Sequence, residues 1–235
     1  MPSSNSNTLP QQCRWHDYST NAELEQAVVH AILHAAQQAI SQRGAFHLVL
    51  AGGTTPRKIY EALQLADADW AAWQVYFGDE RCLPPDHAER NSHMAASAWL
   101  DHVAIPAAQV YAMPAELGAE VAAARYTQTV QDIDLFDLVL LGLGEDGHTA
   151  SLFPGHDWGA MHTPPAIAVH DAPKPPPERV SLSAQRLSAA REVMFLVTGV
   201  AKRQAVKDWR NGVAIPAAAI APAGGVDVYI EAGLL

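Results

Sequence analysis

The sequence has little cysteine and few cationic side chains, and each shortage excludes a class of protein. Only two of the 235 residues are cysteines, Cys13 and Cys82, too few for a disulfide framework and without the CxxC spacing of a metal site. Lysine and arginine total 15 against 25 acidic residues, and the net charge of −10 argues against a nucleic-acid-binding surface. A few cations gathered in one cleft can still bind an anionic small molecule.

Long hydrophobic runs are also lacking, although 49% of the residues are hydrophobic and a sizeable core is available. No apolar stretch approaches the roughly 20 residues of a transmembrane helix. Residues 1–15 are polar and lack the apolar centre of a signal peptide. We therefore expect a cytoplasmic protein that has no membrane partner.

Apolar segments that predict strands alternate with segments of helical pattern. The predicted strands are 46–50, 75–77, 138–143, 193–199 and 226–230, and the predicted helices cover about 21–42, 56–66, 90–102, 117–131 and 200–211. Such alternation predicts a mostly parallel α/β sheet with helices on both faces. We expect a single domain over 1–235, in which 1–18 are poorly structured or form an edge segment.

The ends of the predicted elements carry recognisable signals. Asn21 is the expected N-cap of the first helix, and Gly44 is expected to end it. Residues 163–180 contain many prolines and predict a stiff, extended excursion that carries Lys174 and Arg179. A stiff segment positions a cation better than a flexible one does.

Ligands of parallel α/β sheets bind at the carboxyl ends of the strands, and the first of the four strand ends in this sequence is AGGTTPRK. Gly52 and Gly53 allow a tight turn, Thr55 is a candidate cap, and Pro56 would then fall at the first helical position. With Thr54 nearby, the helix N-terminus could hold a phosphate or carboxylate. An ordinary strand-to-helix turn remains equally open.

The second strand end, GDERCLPP, places Asp79, Glu80 and Arg81 directly after a buried strand. A carboxylate beside a guanidinium can orient a base or bind an oxyanion. The alternative is a solvated loop with a local ion pair.

The remaining two strand ends supply a candidate base and further cations. In GEDGHTAS, Asp146 and His148 lie two residues apart around a glycine, and histidine is well suited to accept a proton near neutral pH. In GVAKRQ, Lys202 and Arg203 open a helix, where a bound anion would relieve their conflict with the helix dipole. The alternatives are that Asp146 and His148 only form hydrogen bonds within the turn, and that Lys202 and Arg203 are only solvated surface side chains.

Five ordered blocks cover most of the chain: AGGTTP, FGDERCLPPDHAERNS, LGLGEDGHTASLFPG, KPPPERVSLS and GVAKR. On these blocks the chain resembles the 6-phosphogluconolactonase family, relatives of glucosamine-6-phosphate deaminase, from about Phe46 to Trp209. The resemblance implies a Rossmann-like fold and hydrolysis of 6-phospho-D-glucono-1,5-lactone to 6-phospho-D-gluconate. It further implies a place in the oxidative pentose phosphate pathway and no required cofactor.

The resemblance also implies site residues. His148 matches the general base and Asp146 a polar partner in its turn, while Asp79 and Arg81 match a motif that lines the site. The residues expected to bind substrate or its phosphate are Gly52, Gly53, Thr54, Thr55, Asn91, Lys174, Arg179 and Lys202. The chain departs from the family at Arg90, where a serine is more common, so the contact of Arg90 is open. No metal ligands are expected.

Several rival functions remain to be weighed. The deaminases carry a glutamate five residues after the histidine, where this chain has Phe153. A sugar-phosphate sensor without turnover would need a DNA-binding segment, which 1–20 does not resemble. Ser151 lacks the GxSxG context of a serine esterase. Histidines such as His30 and His34 lack the HExxH pattern of a metal hydrolase. We expect a sugar-phosphate lactone as the ligand and a monomer or weak homodimer.

Overall fold

The computed structural model describes residues 11–158 and 163–235. The strands within these ranges are β1 (Cys13–Tyr18), β2 (Phe46–Leu50), β3 (Trp73–Phe77), β4 (Asp79–Arg81), β5 (Val110–Tyr111), β6 (Phe136–Gly142), β7 (Ala166–Val169), β8 (Arg179–Leu182), β9 (Ala190–Val197) and β10 (Val226–Glu231). The α-helices are α1 (Asn21–Arg43), α2 (Thr54–Leu63), α3 (Asn91–Ala98), α4 (Ala119–Val130), α5 (Ala184–Ser188) and α6 (Arg203–Arg210). No helix in these ranges is long and apolar enough to cross a membrane.

Seven strands form the main sheet in the order β1-β10-β9-β6-β2-β3-β5, and every pairing in it is parallel. The predicted single-domain, mostly parallel α/β fold is therefore confirmed. Crossover connections between parallel strands are right-handed. Helices that connect a strand to a later strand nearer β5 therefore lie on one face of the sheet, and helices whose connection runs in the opposite direction lie on the other face. Consistent with this, α1 packs on α2 and α2 on α3. Strand β1 forms the edge, while residues 1–10 lie outside the described residues.

The chain changes direction across the sheet between β2 and β6. From β2 the next strand is β3 on one side, whereas from β6 it is β9 on the other. Such a switch leaves a crevice at the carboxyl ends of the two central strands, because the loops that follow them diverge. The crevice is where the four predicted strand ends should meet.

A second, antiparallel sheet of order β4-β8-β7 was not predicted. Its register places Asp79 opposite Ser181 and Arg81 opposite Arg179. Within the excursion predicted over 163–180, β7 and the start of β8 pair with each other, a pairing that the sequence did not indicate. This small sheet holds the proline-rich loop against the carboxyl edge of the main sheet.

Two of the predicted helix starts are wrong. Thr20, not Asn21, caps α1: its hydroxyl accepts from the Glu23 amide at 3.2 Å, and the Glu23 carboxylate accepts from the Thr20 amide. Helix α2 begins at Thr54 with Gly53 as its N-cap, so Pro56 is not at the first helical position and Thr55 is not a cap. Gly53 has a φ of 109°, which favours glycine.

The other helix boundaries shift by a few residues. The end of α1 at Gly44, in the left-handed conformation with a φ of 78°, is confirmed. The helix predicted over 90–102 is interrupted, because α3 ends at Ala98 and a short 3₁₀ turn follows over Leu100–His102. A 3₁₀ turn over Val200–Lys202 likewise precedes α6.

Glu80 is buried and fixes the start of α3. Its carboxylate accepts from the amides of Asn91 and Ser92 at 2.8 Å each and from the Ser92 hydroxyl at 2.7 Å. Arg90, also buried, lies 3.3 Å from the same carboxylate and donates to Glu116 and to the carbonyl of Met113. Arg90 therefore connects the start of α3 to the loop before α4.

We expect Glu80→Ala to lower the free energy of unfolding by about 3–5 kcal/mol, because it leaves the buried α3 amides without an acceptor and removes one of the two carboxylates that pair with the buried Arg90. Urea denaturation measures the loss. Glu116→Ala is the matched control, since Glu116 binds the same arginine but its side chain is 34% exposed and solvent can replace it. An equal loss in both variants would contradict the role given to Glu80.

Candidate active site

A cavity of about 320 Å³ lies at the carboxyl ends of β2, β3, β6 and β9. Nine of the twelve predicted site residues line it: Gly52, Gly53, Asp79, Arg81, Asn91, His148, Lys174, Arg179 and Lys202. Asp146 lies behind His148. Thr54 and Thr55 are not among the lining residues, and the Thr55 hydroxyl instead pairs with that of Thr198 at 2.7 Å. The crevice therefore brings together all four strand ends.

His148 is held by Asp146. The imidazole Nδ1 lies 2.5 Å from Asp146 Oδ1, and the same oxygen accepts from the His148 backbone amide at 3.2 Å. A carboxylate at this distance accepts from a protonated Nδ1, which leaves the Nε2 lone pair as the proton acceptor. Because His148 lines the cavity, this lone pair is available to a bound water or ligand.

Two glycines make room for this arrangement. A Cβ on Gly144 would lie 1.9 Å from His148 Nδ1, inside the volume that the ring occupies. Gly147 has a φ of 84°, and a Cβ there would lie 2.8 Å from the Cβ of Ile215. The turn after β6 therefore needs glycine at both positions to place the histidine.

Asp79 is buried at the end of β3, and both of its carboxylate oxygens have partners. Oδ1 accepts from Asn91 Nδ2 at 2.9 Å, and Oδ2 accepts from Ser151 Oγ at 2.6 Å. A Cβ on Gly52 would lie 2.0 Å from Asn91 Oδ1, so the β2 turn must approach closely here. Ser151 was not predicted in this position, because its partner is 72 residues away in the chain.

Four cations line the cavity of this anionic protein. Arg81 and Arg179 face each other across the β4–β8 pair, and Lys174 and Lys202 complete the set. Burial lowers the pKa of Arg179; the Asp79 charge opposes this effect and the Arg81 charge adds to it. Burial also lowers the pKa of Lys202, against the Glu145 charge and with help from Lys174. The cavity thus presents a positive local field.

Phe153 lies between the histidine and one of these cations. Its buried ring is 4.8 Å from the His148 ring, centroid to centroid, and 5.6 Å from the Arg179 guanidinium carbon. Both contacts are typical of stabilising aromatic interactions. An apolar ring therefore fills the wall of the cavity beside the candidate base.

Fold and cavity together define a Rossmann-like α/β protein with a histidine–carboxylate pair in a cleft that four cationic side chains line. A family model described as glucosamine-6-phosphate isomerases/6-phosphogluconolactonase matches residues 19–229. The chain belongs to this family.

Individual relatives agree with this assignment. The chain is 39% identical over 184 residues to a 6-phosphogluconolactonase of Nostoc sp., covering 74% of this chain and 75% of that protein. It is 38% identical over 186 residues to a probable chloroplastic 6-phosphogluconolactonase of Oryza sativa subsp. indica, covering 72% of this chain but only 57% of that protein. A 6-phosphogluconolactonase structure from Thermotoga maritima, 24% identical, covers 94% of this chain and 100% of its own with a TM-score of 0.87, which supports the fold.

The Asp146–His148 pair should make stability depend on pH. Burial alone would raise the pKa of Asp146, but hydrogen bonds from the His148 ring and amide outweigh it and lower the pKa. The carboxylate therefore contributes stability above the usual aspartate pKa of about 4, and this contribution is lost as pH falls through the lower folded-state pKa.

We expect the difference in unfolding free energy between wild type and Asp146→Asn to shrink as pH falls from about 6 to about 3. Urea denaturation at several pH values measures it. Asp132→Asn on the protein surface supplies a control for general charge effects. A difference that stays constant over this range would contradict the pairing.

Proposed function

We propose that the protein hydrolyses 6-phospho-D-glucono-1,5-lactone to 6-phospho-D-gluconate in the oxidative pentose phosphate pathway. The observation that carries the proposal is the cavity itself, where a carboxylate-oriented histidine shares one space with four cations. The similarity to the 6-phosphogluconolactonase of Nostoc and the probable 6-phosphogluconolactonase of rice supports the same activity. The cytoplasmic location and the monomeric or weakly dimeric state stay predictions.

His148 supplies the acid–base chemistry in this proposal. Its Nε2 takes a proton from water as the water attacks the lactone carbonyl, and the ring carbonyl becomes a tetrahedral oxyanion. The imidazolium, held by Asp146, then returns the proton to the ring oxygen as the carbon–oxygen bond breaks. No covalent enzyme intermediate is needed.

The cations divide between the reacting end and the phosphate. Arg81 is the candidate donor for the oxyanion, a contribution of about 3 kcal/mol for a well-placed group. Lys202 and Lys174, with the Gly52–Gly53 turn, are the candidate phosphate ligands, and binding there orients the ring from a distance. Asp79 acts as a fixed negative charge, because both of its oxygens already accept hydrogen bonds.

The alternatives from the same family and chemistry fit less well. Ring-opening isomerisation needs a second acid–base group, and the wall beside His148 is the apolar ring of Phe153. Ser151 is buried and its hydroxyl donates a hydrogen bond to Asp79, so it is poorly placed as a nucleophile activated by His148. The lactonase reaction needs only the groups that the cavity holds together.

We expect His148→Asn to lower kcat for 6-phosphogluconolactone hydrolysis by about 10²–10⁴ with little change in KM, since it removes proton transfer but leaves the cations. A coupled assay on freshly generated lactone, corrected for spontaneous hydrolysis, measures this. His30→Asn, on the exposed side of α1, is the matched control. Near-normal turnover by His148→Asn would overturn its role, and ammonia release from glucosamine 6-phosphate by the wild type would favour the deaminase instead.

A further inference from the structure

The loop that joins β7 to β8, residues 170–178, brings Lys174 to the wall of the cavity. Two hydrogen bonds shape the tip of this loop. The Ala172 amide donates to the Pro177 carbonyl at 3.1 Å. Arg179 Nη2 donates to the Lys174 carbonyl at 2.8 Å. Because the tip is tied to itself and to the start of β8, the place of the Lys174 side chain depends on how the base of the loop is held.

His170 lies at the base of the loop and contacts two carboxylates. Its Nδ1 is 2.7 Å from Glu178 Oε2, at the other end of the loop, and its Nε2 is 2.8 Å from Glu120 Oε1, in the first turn of α4. The imidazole therefore joins both ends of the loop to a helix that packs against β7 and β8. None of these three residues is among those that line the cavity.

The two distances define the protonation state that this cluster needs. A neutral imidazole has one N–H and one lone pair, so one of its nitrogens would face a carboxylate oxygen with no proton between them. The imidazolium donates from both nitrogens and satisfies both carboxylates at once. Loss of the proton therefore breaks one contact and leaves Glu120 and Glu178 as like charges beside a neutral ring.

The electrostatic surroundings favour the protonated ring. Hydrogen bonds to Glu178 and to Glu120 raise the pKa of His170, and its slight burial opposes them. Strand β7 has no titratable residue. The other charged residues of α4, β8 and the loop are Arg125, Asp171, Lys174 and Arg179. With a raised pKa, the contacts hold the loop fully below the usual histidine pKa of about 6.5 and are lost as pH rises through the folded-state value.

We propose that His170 is a positioning residue for Lys174, which holds the loop against α4 when its ring is protonated and holds it less firmly when the ring is neutral. This role rests on the proposed function, in which Lys174 is a phosphate ligand. Affinity for phosphate-bearing ligands then falls as the ring loses its proton. The three side chains are between 47% and 77% exposed, so the effect is modest.

Isothermal titration of the wild type and of His170→Gln with 6-phosphogluconate tests this role. The ratio of the two dissociation constants isolates His170, because the ligand and His148 titrate in both proteins. We expect the wild type to bind about two- to threefold more tightly at a pH of about 6 and equally at about 9. In a Lys174→Met background the ratio should be close to one at every pH. His93→Gln, an exposed change on α3, should match the wild type throughout.

A measurement without ligand separates this role from failure of the proposed function. Amide hydrogen exchange over 171–178, taken relative to the unfolded chain at the same pH, should be slower in the wild type than in His170→Gln at a pH of about 6 and equal at about 9. Equal exchange in the two proteins at both pH values would overturn the role of His170.

The affinity ratio supplies the other contradicting results. A ratio that does not change with pH, a ratio that persists in the Lys174→Met background, or a wild type that does not bind 6-phosphogluconate would each overturn the positioning role. Lactone hydrolysis without the pH-dependent ratio would overturn only the positioning role, and the ratio without lactone hydrolysis would overturn only the proposed function.

Discussion

The buried Asp79 carboxylate is the interaction on which the cavity depends. It accepts from Asn91 at the start of α3 and from Ser151 in the turn after β6, so it joins three segments that are distant in sequence. A side chain would not fit at position 52, because Asn91 occupies the space beside the Gly52 backbone. A buried charge is tolerated only when it is hydrogen-bonded, and these partners therefore fix the relative positions of the strand ends.

The residues that follow Asp79, together with Phe153, determine which side chains face the cavity. Glu80 follows Asp79 in β4 and points away from the cavity, because successive residues of a strand face opposite sides. Its carboxylate accepts hydrogen bonds from the backbone amides at the start of α3 and so fixes that helix. Arg81 returns to the cavity side and meets Arg179. Phe153 separates Arg179 from His148, which keeps an apolar wall where a second titratable group would permit other chemistry.

Local sequence signals predicted much of this architecture. Apolar strands with intervening helical patterns were sufficient for the parallel sheet, and the rule for strand ends placed His148, Lys202 and Arg81 near one edge. The β4–β8 pairing was missed because β4 has only three residues and its partner is about a hundred residues away. Thr54 and Thr55 were predicted at the site but are not among the residues that line the cavity, and Gly53 rather than Thr55 is the N-cap of α2. Partners far apart in sequence leave no periodic signal.

We propose that one cavity combines a histidine base with cations that recognise a phosphorylated lactone. The most direct measurement compares kcat/KM of the wild type for 6-phosphogluconolactone and for unphosphorylated gluconolactone. We expect a preference of about 100-fold or more for the phosphorylated lactone, because phosphate contacts would orient the ring over His148. Equal values for the two lactones, or hydrolysis of neither, would contradict it.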